Sequence, residues 1–246
     1  MRIDTMSRPN VGTALRDLGA RQKPSAGAPA YSRFVNRPLG RVIAAVAYSI
    51  GLTPNAVTAI SAVLTFSAIA VLALAPSTAF IGVTVTVLLV LGYAFDSADG
   101  QIARLRGGGS AAGEWLDHMV DATKQVSLHL AVLVAWWRSF ELHEAWLLVP
   151  LGYTVVATVF FFGVILTEQL RRQAGTASAP GSAIRTSPLY AIAVLPADYG
   201  FLCLAFLLLG WHQAFVVVYT LLFAANAAIL ALSAVRWYRA IARLPR

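Results

Sequence analysis

Six apolar runs, at about residues 56–75, 78–98, 113–137, 146–168, 189–210 and 213–235, are each long enough to cross the hydrocarbon of a bilayer. Those lengths constrain the fold more than any other feature. Backbone N–H and C=O groups find no water in hydrocarbon, so each crossing must satisfy its own hydrogen bonds. Within one segment only a helix does so. The runs predict an all-α integral membrane protein with six transmembrane helices. A hydrophobic content of 58%, with 12% charged residues and a mean hydropathy of +0.69, excludes an ordinary soluble domain.

The net charge of +8 would suit either nucleic acid or an anionic membrane surface, and its placement decides between them. With six crossings, one face collects the arginines and the lysine of the N-terminal segment, Arg104 and Arg106, then Arg171, Arg172 and Arg185, and finally Arg236, Arg239, Arg243 and Arg246. The other face holds Arg138 beside Glu141 and Glu144. Positive charge favours the cytoplasmic side, so both termini are expected there, in the cell's inner (plasma) membrane. The asymmetry accounts for the basic character without nucleic acid as a partner.

Residues 1–34 read as a flexible basic segment, rich in Pro, Gly, Ala and Arg and without the apolar core of a signal peptide. Residues 35–246 read as one six-helix membrane domain. It opens with an amphipathic helix at 35–50, where Leu39, Val42, Ile43, Val46, Ala47 and Ile50 recur at helical spacing. Too short and too basic at its start to span, this helix is expected to lie on the cytoplasmic surface. Pro54 breaks it, and Thr53 or Asn55 is placed to cap the next helix. Pro76 and Ser77 mark a tight turn. Cys203, the single cysteine, lies in an apolar run and reads as a buried, inert thiol.

Against this apolar background, Asp96, Asp99, Asp117 and Asp121 fall within 26 residues. Asp96 and Asp99 are three apart and share a face at the end of the second run, while Asp117 and Asp121, four apart, share a face of the third. Direct antiparallel packing of these two helices would bring all four carboxylates together near the cytoplasmic surface. Crowded carboxylates repel one another and resist ionisation unless something positive holds them. Hard oxygen donors suit Mg²⁺, Mn²⁺ or Ca²⁺, and two such ions can bridge carboxylates and phosphate oxygens. Intramembrane acids are costly and mostly functional, which leaves a cation transporter or channel as the rival reading. A conduction path needs ionisable groups through the depth of the membrane, whereas these sit at one face.

The stretch "DSADGQIARLRGGGSAAGEWLDHMVD" resembles the pattern D-x2-D-G-x2-A-R-x8-G-x3-D-x3-D of the CDP-alcohol phosphatidyltransferase family, with Asp96, Asp99, Gly100, Ala103, Arg104, Gly113, Asp117 and Asp121 in its fixed positions. The resemblance implies six transmembrane helices behind a surface helix, and a homodimer. It implies transfer of a phosphoalcohol from a CDP-alcohol donor to a lipid or small polyol acceptor, with release of CMP, in phospholipid biosynthesis among membrane lipids. Asp96, Asp99 and Asp117 are carried over as ligands of a divalent metal cofactor, two Mg²⁺ or Mn²⁺ ions. Asp121 is carried over as a further ligand and general base. Gly100, Ala103, Arg104 and Gly113 take the positions that hold the CDP group.

Other residues carry less. Phosphatidylinositol-phosphate synthases resemble this chain but place a basic "KAR"-like stretch where it has "TEQLRRQAG". Arg171 and Arg172, with Arg185, would bind an acceptor phosphate or would serve only as positive-inside residues. Lys124 is expected to satisfy a buried acid, Glu114 to pair with a basic residue, and His129 to make a structural polar contact. Trp136, Trp137, Trp146 and Trp211 fall near expected outer ends and fit an aromatic belt.

Overall fold

The computed structural model describes residues 10–20, 29–176 and 194–244, and among these it is helical, with no strand. In chain order the helices are α1 (Val11–Ala20), α2 (Arg37–Ser49), α3 (Pro54–Leu74), α4 (Ala79–Leu105), α5 (Ala111–Ser139), α6 (Leu148–Gln173), α7 (Tyr199–Ala205) and α8 (His212–Ile241). A π-helical turn, Ser32–Asn36, leads into α2. Short 3₁₀ turns precede α6 and α7, and a third continues α7 to Leu208. Side chains set the boundaries. Thr53, Thr78 and Ser110 accept hydrogen bonds from the N–H groups of Ala56, Ile81 and Gly113, capping α3, α4 and α5. Thr53 rather than Asn55 is thus the cap of α3.

Among the described residues, four segments are long and apolar enough to cross a membrane: α3, α4, Glu144–Gln173 and α8. The expected third crossing corresponds to α5, which is long enough but carries Glu114, Asp117, Asp121 and Lys124 in its first half. The expected fifth crossing is represented by the ten residues Tyr199–Leu208, and its first part lies outside the described residues. The expected flexible segment 1–34 is partly outside them too, although 11–20 forms α1.

α3 packs against both α4 and α5, whereas α4 and α5 make little backbone approach to each other. The expected direct antiparallel pair is therefore a three-helix arrangement, with α4 and α5 meeting through side chains. The reason lies in residue size. At Gly92 an added Cβ would sit against Thr65 Oγ1 and the Ser61 carbonyl, so α4 approaches α3 more closely there than any side chain permits. Ser61 Oγ uses the approach to donate to the Gly92 carbonyl at 2.8 Å. Leu72, Leu89, Val132, Phe206, Phe215 and Tyr219 close the larger core, with Trp136 at its centre. Trp136 is 1% exposed, which removes it from the expected aromatic belt, while Trp137, Trp146 and Trp211 face outward.

The stripe expected on α2 divides. Leu39, Val42, Val46 and Ile50 point outward, while Ala47 joins Gly40, Ala44 and Ala45 in packing inward. A Cβ on Gly40 would lie 2.8 Å from Ser97 of α4. Small residues thus seat α2 on the end of α4 that carries the acids, and α1 covers both through Ala14 and Leu18.

Candidate active site

Three of the four aspartates converge. Asp96 from α4 and Asp117 and Asp121 from α5 each offer a carboxylate oxygen within 4.8 Å of the others, a donor set that fits a hard divalent cation. Lys124 enters the group from below. Its Nζ lies 2.6 Å from Asp96 Oδ1 and 3.1 Å from Asp121 Oδ1, and it donates to Ser61 Oγ at 3.1 Å. Lys124 was expected to satisfy one buried acid; it pairs instead with two half-buried ones.

Asp99 stands differently. It is buried, and its Oδ2 accepts from Thr58 Oγ1 of α3 at 2.6 Å. It still lines the same cavity, of about 200 Å³, together with Asp96, Asp117, Gly100 and Arg104. Ser97, Gln101 and Arg37 complete the wall. Arg37 and Gln101 were not singled out as site residues by the sequence. The only sign of Arg37 was the four-residue spacing of Arg33, Arg37 and Arg41, which reads equally well as a basic helix edge. Gln101 holds the carbonyl of Arg37 at 3.3 Å, so α2 and α4 form this wall together.

The glycines of the motif have separate reasons. A Cβ placed on Gly100 would meet only Arg104 Nη1, at 3.7 Å, so the backbone there is open toward the cavity. Gly113 sits under Asn55 Oδ1 and Ser110 Oγ, each 3.1 Å from where a Cβ would be, so a side chain there would press on the start of α3. Gly107 and Gly108, at φ +92° and +139°, take a backbone that side chains disfavour, and the Gly108 N–H bonds the Ala103 carbonyl at 2.9 Å to end α4. That closure is the contribution of Ala103 visible in the structure.

The remaining candidates lie away from the cavity. Arg172 is bound by Glu114 at 2.8 Å and by Glu168 at 2.6 Å, which meets the expectation for Glu114. Neither Arg171 nor Arg172 lines the cavity, and Arg185 lies outside the described residues. His129 Nδ1 is 2.6 Å from the Tyr219 hydroxyl in the core, a structural contact as expected. A second cavity of about 250 Å³ lies between α5, α6, α8 and the turn leading into α7, and includes Gln125, His129, Tyr153, Asp198 and Asn226 but none of the four motif aspartates.

No curated protein matches the chain. The family model of the CDP-alcohol phosphatidyltransferases matches residues 51–234, from the start of α3 into α8 and well over half of the sequence. With all four motif aspartates inside that span, the chain belongs to the CDP-alcohol phosphatidyltransferase family.

Proposed function

We propose that this protein is a divalent-metal-dependent phosphotransferase of phospholipid biosynthesis. It would move the phosphoalcohol group of a CDP-alcohol to an acceptor alcohol and release CMP. The observation that carries the reading is the convergence of Asp96, Asp117 and Asp121, two of which, Asp96 and Asp117, line a cavity that also holds Gly100 and Arg104. Asp96, Asp117 and Asp121 would hold the metal, with Asp99 completing the acidic wall. The bound metal would neutralise pyrophosphate oxygens and stabilise the leaving CMP. Arg104 is placed to meet a phosphate, and Gly100 leaves the backbone open for the nucleotide. The acceptor hydroxyl oxygen bonds to the β-phosphorus, the bond from that phosphorus to the CMP oxygen breaks, and the hydroxyl proton passes to the Asp121 carboxylate.

The reading includes α5 and the α7 segment as the third and fifth of six crossings, α2 on the cytoplasmic surface, and a homodimer. An acceptor phosphate held at Arg172 would have to draw that side chain from Glu114 and Glu168. The test is CMP release by the purified protein with a panel of CDP-alcohols and acceptor alcohols, the product being identified by mass spectrometry. Release is expected only with divalent metal, and is expected to fall by at least about a hundredfold in Asp121→Asn, the scale of a lost general base. Metal-independent turnover, or undiminished turnover in folded Asp121→Asn, would sink the proposal.

A further inference from the structure

Lys124 is an unusual neighbour for a metal site. Its side chain is buried, at 6% exposure, and its ammonium sits between carboxylates from two helices that otherwise scarcely touch. Its three partners are Asp96 of α4, Asp121 of its own helix and Ser61 of α3, all within 3.1 Å. Ser61 in turn is tied to the Gly92 carbonyl, so the lysine is anchored to the close approach of α3 and α4 at Gly92. Each aspartate accepts the lysine through its Oδ1.

We infer that Lys124 is a resident counter-cation of the acid cluster: it holds Asp96 and Asp121 together across the α4–α5 gap before metal arrives and sets how tightly the metal binds. The inference rests on the metal reading above. Two half-buried carboxylates held side by side repel each other unless a cation or a proton offsets their charge, and Lys124 supplies that cation. With Lys124 present the cluster is already assembled when metal is absent. The same ammonium would repel a cation held by these carboxylates, so the lysine would exchange metal affinity for preassembly. It acts as a positioning residue, not a group that touches the reacting atoms.

The test is Mn²⁺ binding to the purified full-length protein, followed by the electron paramagnetic resonance of free Mn²⁺, together with thermal melting with and without the ion. Lys124→Met is expected to bind Mn²⁺ at least about tenfold more tightly than wild type, because one repelling charge is gone. Its metal-free form should melt lower, and Mn²⁺ should raise its Tm by more than it raises that of wild type. Lys124→Arg keeps the charge and is expected to stay near wild type in affinity. Should Lys124→Met fail to fold, Lys124→Gln removes the charge while keeping a hydrogen-bond donor, and the same tightening is expected. Unchanged or weaker Mn²⁺ binding in the neutral variants would overturn the inference while leaving the metal reading standing. If wild type binds no Mn²⁺, the metal reading fails and the inference with it.

Discussion

Asp99 shows how a single hydroxyl sorts one acid from its neighbours. Three residues from Asp96 on the same helix, it turns toward α3, where Thr58 donates to it at 2.6 Å. A buried carboxylate stripped of that donor loses a charge-assisted hydrogen bond and keeps its desolvation cost. Thr58→Val is therefore expected to lower unfolding stability by about 1–3 kcal/mol in detergent, with Thr58→Ser restoring most of it. Asp198 is a second buried acid with a structural explanation. It accepts the Ser32 N–H at 2.8 Å and the Gly200 N–H at 3.0 Å, capping α7 and tying the turn before α2 to it. In sequence it was visible only as a lone acid in an apolar run. Its partner Ser32 is 166 positions away, beyond the reach of any local pattern.

Among the elements, α3 has the largest part in placing the site and offered the least warning of it. Its sequence is nearly uniformly apolar and reads as a plain crossing. Yet Thr58 and Ser61, one turn apart with Thr65 on the same side, hold Asp99, Lys124 and the approach to Gly92. Gly92→Val would force α4 away from Thr65 and the Ser61 carbonyl. A loss of about 1–3 kcal/mol in stability is expected, the scale of an overpacked core, and CMP release should fall with it because Asp96 moves with α4. Gly82→Ala makes a useful comparison: it is equally tight, against the Phe206 carbonyl, but more than three helical turns from Asp96 along α4. Stability is expected to fall there too, with less loss of activity per unit of stability. Equal activity losses from the two variants would contradict the placement of α3 as the support of the site. The cap of α3 was more legible, since Thr53 precedes an apolar run and a cap acts within three residues of its own position.

At the scale of the whole molecule, the acids, Arg104 and α2 gather at one end of the bundle, and Arg138 and Trp137 lie at the far end of α5. The positive-inside asymmetry then predicts that the acid end faces the cytoplasm. In a Cys203→Ser background, a cysteine placed at Leu142 is expected to react with a membrane-impermeant thiol reagent in intact cells. One placed at Gly109 is expected to react only after the membrane is opened. The reverse pattern would invert the topology.

What the sequence alone determined is what each segment does by itself: the helical membrane character, the turn residues, and the spacing that puts Asp117 and Asp121 on one face of α5. Helical period sets angles within a helix, and those follow from the chain without reference to anything else. The tertiary structure decided how the helices are turned toward one another. It placed α3 between α4 and α5, drew Asp96 to the α5 pair through Lys124, gave Asp99 to Thr58, and brought Arg37 of α2 into the cavity. Those orientations come from close approach at Gly40 and Gly92, contacts between segments remote in sequence, which no periodicity in a single run encodes.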